Sequence, residues 1–571
     1  MAIRQGILNI ECPEAPEGTA CETPKLIDPP QKGQLSSIWR LILLGLAGLN
    51  CLFQIIWFWR YTGRNINYDA ISYIGIARHI ADGDLQASLH GYWSPLISWC
   101  IAGISVFSHD FLLAGRIVTI ASFLLCLPLL YLLTLRLWSS STLAALSVLC
   151  FTLARGVVAF SVFFIGADFL LTAAVLCYFI LLLRCLRNPQ PAQWLILGTA
   201  HATAFLAKAF AMPLLTIATV LAVLVIHKRN PKQIVVAAVA GIALPVLVWG
   251  SWGSFLKVRY GQFTAGYQAR YNLLDPEAKK SADKGGLAIL DDTSENYGQY
   301  MVVDDMYPGS PLWNVHLNPR EVSSQILHKE LRNLPEAFKQ IMILITPGCA
   351  LAFLLALRSG YRTQTTLAWI ALVNSTLLIF GYCMLVFDER YILPLAPLLI
   401  AFAVPFFVPS FPIPGNRLVR TVAGALFAIS VTFFTFFWTS PFRSLRRDYQ
   451  TSVYSAAAAL RQIPSCNRLV AIGEGPFPMH GVGWEAGIYA SYFAQCHVVG
   501  FREKIPGAEN APDVLADLQI LQPDSILLFG RPHNLNYELL LRTIRGKGGY
   551  STSWPLADQE AGEIGRLLLK P

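Results

Sequence analysis

Apolar residues in this chain fall into long runs divided by short polar connections. The runs 38–59, 111–135, 141–160, 168–184, 193–208, 210–226, 233–252, 339–357, 366–386, 391–408 and 419–439 each approach the roughly 20 residues that a helix needs to cross about 30 Å of hydrocarbon. They predict about eleven transmembrane helices. The run 193–208 is short, contains His201, and is parted from its neighbour only around Lys208. Two longer segments interrupt the series. In 60–110, residues 70–82 (AISYIGIARHIAD) place Ile71, Ile74, Ala77 and Ile80 on one helical face with charged neighbours opposite, the pattern of a helix lying in the membrane interface. Residues 94–107 are apolar but short, which predicts a second interfacial or re-entrant helix. Segment 253–338 is mixed, with a Gly-Gly turn at 285–286 and the acidic pairs Asp291-Asp292 and Asp304-Asp305.

Beyond residue 440 the pattern changes. Short apolar runs at 468–473, 497–501 and 525–529 alternate with helical periodicity at 484–495, 511–521 and 535–545, which predicts a small parallel-sheet α/β domain. The stretch 473–481 (GEGPFPMHG) is Gly-rich but lacks the spacing of a dinucleotide loop, a weak basis for a nucleotide site. Cys466 and Cys496 stand at two strand starts and are read either as a disulfide or as two buried thiols. Residues 1–37 are polar and Pro-rich, carry Glu11, Glu14, Glu17 and Glu22, and read as a disordered tail rather than a signal peptide. The expected fold class is therefore a polytopic α-helical membrane protein, 38–440, followed by a soluble α/β domain, 441–571.

Composition agrees. Of 571 residues 54% are hydrophobic and 14% charged, with a mean hydropathy of +0.48, whereas soluble domains carry about 25% charged residues. A net charge of +9 in a soluble chain would point to nucleic acid. Here the basic residues mark topology instead. Arg136, Arg184 with Arg187, His227-Lys228-Arg229 with Lys232, Arg358 with Arg362, and Arg417 with Arg420 fall in alternate connections, and those between hold Arg155, Lys208 and Arg390. The positive-inside rule puts the first set and the N-terminus in the cytoplasm and, across an odd number of spans, the C-terminal domain outside. Twelve cysteines show no CxxC or Cys/His metal spacing and read as small apolar residues of the helices.

Ionisable groups at the edge of a membrane are costly, which makes them candidates for function. Asp69 precedes the 70–82 helix, where it could take a proton from a hydroxyl, hold a divalent metal, or merely cap the helix. Tyr73 lies one turn on, and Arg78 with Asp82 reads as an i,i+4 structural pair. His90, Tyr92 and Trp93 in HGYWSP could stack on a sugar or form an interfacial aromatic belt. Asp168 opens a span, where it could face Asp69 or simply favour the helix dipole. Lys208, in LAKAFAMP, could bind a lipid phosphate or snorkel to the headgroups. In DERYILPLAP, Arg390 beside Tyr391 could neutralise a phosphate or pair with Asp388 or Glu389.

In order and in common sidedness these motifs resemble the GT-C glycosyltransferases, above all the bacterial relatives of protein O-mannosyltransferases and of the aminoarabinose transferase that modifies lipid A. NYDAISYIGIARHIADGD, GYWSPL, GADFLL, LAKAFAMP and ERYILPLAP carry the resemblance, over about 38–440. It implies sugar transfer from a polyprenyl-phosphate donor to a protein, lipid or glycan acceptor on the outer face of a bacterial inner or plasma membrane. It implies Asp69 as base or metal-linked acid, Asp168 as its partner, Lys208, Arg390 and Tyr391 at the donor phosphate, and Tyr73, His90 and Trp93 at substrate. Two separated acids do not require a metal, so no cofactor is certain. The mannosyltransferases have an adjacent Asp-Glu pair where Asp69 is followed by Ala70, which leaves one acid to serve. A polysaccharide polymerase or ligase, a lipid-linked sugar flippase or transporter, and a scaffold displaying the α/β domain are the rival readings. Against transport stand the lack of an inverted repeat and of paired broken helices.

Overall fold

The computed structural model describes residues 37–62, 66–264 apart from Arg155 and Arg229, 288–289, 319–356, 362–384, 389–408, 457–462, 468–473, 496–502, 511–529, 535–547, 549–550, 552–558 and 562–570, with a few single positions between. The tail 1–36, the acidic pairs of the second large segment, most of 419–439, the helical pattern 484–495, Cys466, and all of 473–481 except Gly473 lie outside the described residues.

Every predicted span before 419–439 meets one or more helices. They are α1 (Ser37–Thr62), α5 (Phe111–Trp138), α6 (Ser141–Leu153) with α7 (Val157–Phe163), α8 (Asp168–Arg187), α9 (Pro191–Ala207), α10 (Ala211–His227), α11 (Pro231–Tyr260), α12 (Pro319–Ala356), α13 (Arg362–Met384), and α14 (Leu395–Ala403) between two 3-10 turns. Polar residues set their ends. The Asp110 carboxylate accepts from the N–H groups of Leu112 and Leu113 to start α5, and Asn230 caps α11 with Pro231 following it. Gly261 closes α11 at φ +72°, a left-handed conformation that glycine adopts without a Cβ penalty. By length and composition five described helices can cross a membrane, or six if α6 and α7, bent by 58°, make one broken span. α9, α10 and α14 are shorter: α9 ends at Lys208, α10 at His227, and α14 follows the turn that carries Arg390.

The chain is an integral membrane protein with its apolar side chains arranged accordingly. α1 is mostly uncovered, with Leu49 and Phe53 among the exposed large residues, as suits a surface facing hydrocarbon. The buried core is gathered from α5–α10 and from α13 and α14. Several polar groups find partners inside it: the half-buried Asn50 donates to the Thr152 carbonyl, the Tyr178 hydroxyl bonds Thr219 at 2.8 Å, and Trp138 Nε1 donates 2.8 Å to the Ala401 carbonyl. The last of these ties the end of α5 to α14. Gly381 of α13 lets Phe210 approach, since a Cβ there would lie 2.0 Å from the ring. Gly381→Ala is expected to lower stability by about 1–3 kcal/mol, and Phe210→Leu in the same chain to recover most of it, measured by thermal melting in detergent. An unchanged melt for the single variant would contradict this packing.

Between α1 and α5 lie α2 (Tyr68–Ala81), α3 (Leu85–Ser88) and α4 (Leu96–Ser108). The amphipathic pattern of 70–82 predicts a helix with one face in the headgroups. Instead α2 is buried on nearly every side, Ser72 and His79 as well as Ile71, Ile74 and Ala77, because α4 and α5 pack over it. α4 is the short apolar helix expected at 94–107.

The C-terminal strands are β2 (Arg468–Ile472), β3 (His497–Arg502), β4 (Ser525–Phe529), β5 (Thr552–Asp558) and β6 (Gly562–Leu569), with helices α15 (Ala511–Leu521) and α16 (Leu535–Lys547). The sheet is mixed rather than parallel. β3, β2 and β4 run parallel, but β6 pairs antiparallel with β4, and β5 with β6. At the opposite edge β1 (Ala288–Ile289), from the 253–338 segment, pairs antiparallel with β3. The 253–338 segment thus supplies one strand to the C-terminal sheet. Val470, Ile472, Ile526 and Leu528 pack with α15 and α16, and Leu469, Ala471 and Leu527 between them are buried as well, which is why these strands read as continuous apolar runs.

Candidate active site

Four element ends converge on one cluster of charge. Asp69 lies in the first turn of α2, Asp168 is the first residue of α8, Lys208 follows the last residue of α9, and Arg390 sits in the 3-10 turn Glu389–Ile392. Arg390 Nη1 approaches Asp69 Oδ2 at 2.5 Å, and Lys208 Nζ approaches Asp168 Oδ1 at 2.5 Å. All four side chains are largely withdrawn from solvent, Asp168 at 8% and Asp69 at 19% exposed.

Tyr391 links the two pairs. Its ring lies 4.5 Å from Lys208 Nζ and 5.4 Å from the Arg390 guanidinium, and it stacks on Tyr382 at 4.3 Å. Phe164 supplies a second ring to Arg390 at 5.5 Å. Such faces hold cations through the ring quadrupole without neutralising them. Tyr73 belongs to the same field. Burial, with the charges of Asp69 and Asp168, holds its phenol well above the usual range, so Tyr73 keeps its proton and offers a donor rather than a base. Tyr73 packs edge-on to Trp93 at 5.0 Å.

His90 and Trp93 are placed differently from a sugar-stacking surface. Both are buried, and His90 Nδ1 accepts the Tyr92 and Trp93 backbone N–H groups at 3.0 and 3.3 Å. An accepting Nδ1 leaves the ring proton on Nε2 in the neutral ring. The imidazole thus shapes its own loop. Arg259 donates to the carbonyls of Ala87 and Leu89, and the Ser94 hydroxyl accepts from the Ala209 N–H at 3.1 Å. The Gly91 N–H donates to the Tyr260 hydroxyl at 3.3 Å, so HGYWSP and the residues before it are fastened to the end of α11, and Ser94 to the residue after Lys208.

Some alternatives in the sequence are now decided. Asn67, not Asp69, holds the N-cap position of α2, so Asp69 is no cap and its carboxylate reaches Arg390. Asp168 does open its helix, and it also pairs with Lys208. Arg78 lies over the Phe111 ring at 5.4 Å. Among the described residues no three His, Cys, Asp or Glu side chains gather to hold a metal ion. Asp69 and Asp168, each facing a cation, are a poor donor set for one. Sequence patterns did not single out Asn67, Phe164 or Tyr382. Tyr382 has a weak signal, as an aromatic at a span end just ahead of Arg390; the other two have none.

The bundle of membrane helices that carries this cluster is similar in fold to solved structures of ArnT and of an oligosaccharyltransferase, and part of the sequence matches a mannosyltransferase family. Residues 92–252 match the dolichyl-phosphate-mannose-protein mannosyltransferase family, a stretch that includes Trp93, Asp168 and Lys208 but neither Asp69 nor Arg390. The fold is similar to ArnT from Cupriavidus metallidurans bound to undecaprenyl phosphate, with a TM-score of 0.55 and 12% identity over 94% of this chain and 99% of that one. Apo ArnT gives a TM-score of 0.55 at 12% identity, over 93% and 98%. The archaeal oligosaccharyltransferase AglB from Archaeoglobus fulgidus, in complex with an inhibitory peptide and a dolichol-phosphate, gives 0.53 at 12% identity, over 86% of this chain and 69% of that one. No curated protein sequence matches the chain.

Proposed function

We propose that this protein transfers a sugar from a polyprenyl-phosphate donor to a hydroxyl-bearing acceptor at the outer face of the membrane. The observation that carries the reading is the interlocked quartet Asp69–Arg390 and Asp168–Lys208, two acids and two cations in one buried place. The lipid phosphates bound to ArnT and AglB support the class of donor.

Asp69 takes the acceptor hydroxyl proton as the oxygen attacks the anomeric carbon. The bond from that carbon to the phosphate oxygen breaks in the same displacement, inverting the sugar, and polyprenyl phosphate departs. Negative charge grows on the phosphate as it leaves, so Arg390 and Lys208 act most strongly in the transition state. Asp168 holds Lys208 in place, and Tyr391 lies against both cations. In the resting site each cation already faces a carboxylate. An arriving phosphate competes for Arg390, and drawing Arg390 away leaves Asp69 free to act as base. The basic loops support a cytoplasmic N-terminus, with this cluster and the 441–571 domain outside.

Purified protein is to be incubated with mannosyl, glucosyl and aminoarabinosyl undecaprenyl phosphates and with peptide, lipid and glycan acceptors. Release of undecaprenyl phosphate with a glycosylated product is expected. Release from no donor turns the reading toward transport.

The Asp168–Lys208 pair also carries stability. Removing one partner strands a buried charge, at a cost of about 3–5 kcal/mol, whereas removing both costs less. Asp168→Ala is therefore expected to melt well below the parent in detergent, with Asp168→Ala/Lys208→Met recovering part of the loss. Additive losses would mean that the two side chains do not interact.

A further inference from the structure

Asn67 occupies the N-cap of α2 with extended dihedrals, φ −87° and ψ 157°, yet its side chain makes no capping bond. An asparagine in that position ordinarily accepts a backbone N–H from the helix's first turn, a bond worth about 1 kcal/mol. This one reaches across the fold. Its Oδ1 accepts the Ile165 N–H at 2.8 Å and its Nδ2 donates to the Ile165 carbonyl at 3.1 Å, between residues 98 positions apart. One amide thus satisfies both backbone groups of Ile165, as a neighbouring strand would.

Both partners stand beside the charge cluster. Asn67 is two residues before Asp69, and its own carbonyl accepts the Ala70 N–H at 3.0 Å, so the clamp begins inside the turn that carries the carboxylate. Ile165 is three residues before Asp168 and one after Phe164, the ring against Arg390. It is buried, and its side chain lies where a Cβ on Gly115 of α5 would meet it at 3.0 Å. At Gly166 a Cβ would come within 3.0 Å of Asp168 Oδ2, which leaves little slack in the segment. The loop before α8 is therefore seated against α5 on one side and grasped by Asn67 on the other.

We propose that Asn67 is a positioning residue for the transfer reaction: its two hydrogen bonds to Ile165 set the placement of Asp69 relative to Asp168. The assignment rests on the proposed roles of those two acids. Asn67 touches neither the acids nor the cations through these bonds; it acts through the backbone that bears them. An amide of this length supplies acceptor and donor side by side, and a carboxylate supplies both only when protonated.

The test uses Asn67→Ala and Asn67→Asp in the full-length protein in lipid nanodiscs, with whichever of the three undecaprenyl-phosphate sugars the parent turns over. Misplacement of a reacting group by about 1 Å costs up to about 100-fold, so Asn67→Ala is expected to lower kcat about 10- to 100-fold per folded molecule, with the donor KM and undecaprenyl phosphate binding little changed. For Asn67→Asp the ratio of its kcat to the parent's is expected to rise as pH falls from about 8 toward about 5, where a carboxyl begins to protonate and can donate to the Ile165 carbonyl. For Asn67→Ala that ratio is expected to stay flat. Asp69, Asp168, Tyr73, Lys208 and Arg390 are common to variant and parent and largely cancel in the ratio. A parental kcat for Asn67→Ala, or a pH-independent ratio for Asn67→Asp, overturns the assignment. Should Asn67→Ala not fold, the Asn67→Asp ratio decides alone. Transfer by Asp69→Asn at the parental rate defeats the underlying reading instead, whereas a dead Asp69→Asn beside a normal Asn67→Ala defeats only this one.

Discussion

Asp69→Asn is expected to lower sugar transfer by about 10²- to 10⁴-fold, the range of a lost general base, while holding undecaprenyl phosphate at least as tightly as the parent. Asparagine keeps the shape of the side chain but can neither carry the charge nor take the acceptor proton. The second half of the expectation comes from the pair at 2.5 Å between Arg390 and Asp69. With the carboxylate gone, Arg390 is available to the phosphate without competition. Transfer is followed by mass spectrometry of the acceptor, and phosphate binding by titration of the detergent-solubilised protein. Normal transfer would remove Asp69 as the base. Weakened phosphate binding would show that Asp69 orients Arg390 toward the phosphate rather than competing for it.

Arg390→Ala is expected to lower kcat by about 10²- to 10³-fold, as loss of a transition-state charge stabiliser does, and to raise the donor KM. Two effects add in this variant: the leaving phosphate loses a cation, and Asp69 is stranded without its partner. Arg390→Lys is expected to restore only part of the rate. A guanidinium can present N–H groups to a carboxylate and a phosphate together while lying over the rings of Phe164 and Tyr391, and a lysine ammonium has neither the fork nor the plane. Equal activity of the lysine variant would mean that Arg390 acts through charge alone. These two substitutions separate the base from the leaving-group stabiliser, since the first spares phosphate binding and the second does not.

Much of the fold was legible along the chain because bilayer and sheet each impose a local rule. A span needs an unbroken apolar run, and each run before 419–439 met helix. A strand covered on both faces needs a short apolar run, and β2, β3 and β4 appeared within a residue or so of the expected limits. The hairpin of β5 and β6 was missed. Thr552–Asp558 contains Pro555 and Gly562–Leu569 contains Gly565, and both residues weaken a strand signal; β5 tolerates its proline at the sheet edge, and β6 is held between β4 and β5. α2 was misjudged in another way. Its apolar face was correctly read, but burial of the opposite side depends on α4 and α5, which its own periodicity cannot report.

The site divides along the same line. Asp69, Asp168, Lys208 and Arg390 could be chosen in advance because a charge at the edge of an apolar run is costly wherever it lies. Their pairing could not: Arg390 had been weighed against its neighbours Asp388 and Glu389, and in the fold it reaches Asp69. Asn67 gave no sign at all, since an asparagine before a helix already has a local explanation.

By itself, then, the amino-acid sequence determined the membrane class, the apolar segments that form helix, the strands at the centre of the C-terminal sheet, and the short set of charged residues available for chemistry. These follow from hydropathy, periodicity and charge, which are summed over neighbours along the chain. Only the tertiary structure decided which acid meets which cation, that Tyr391 lies against both cations, that α2 is enclosed, and that Asn67 joins the two acid-bearing segments. Those contacts depend on how helices distant in sequence pack, and packing is set by the shapes of many side chains together.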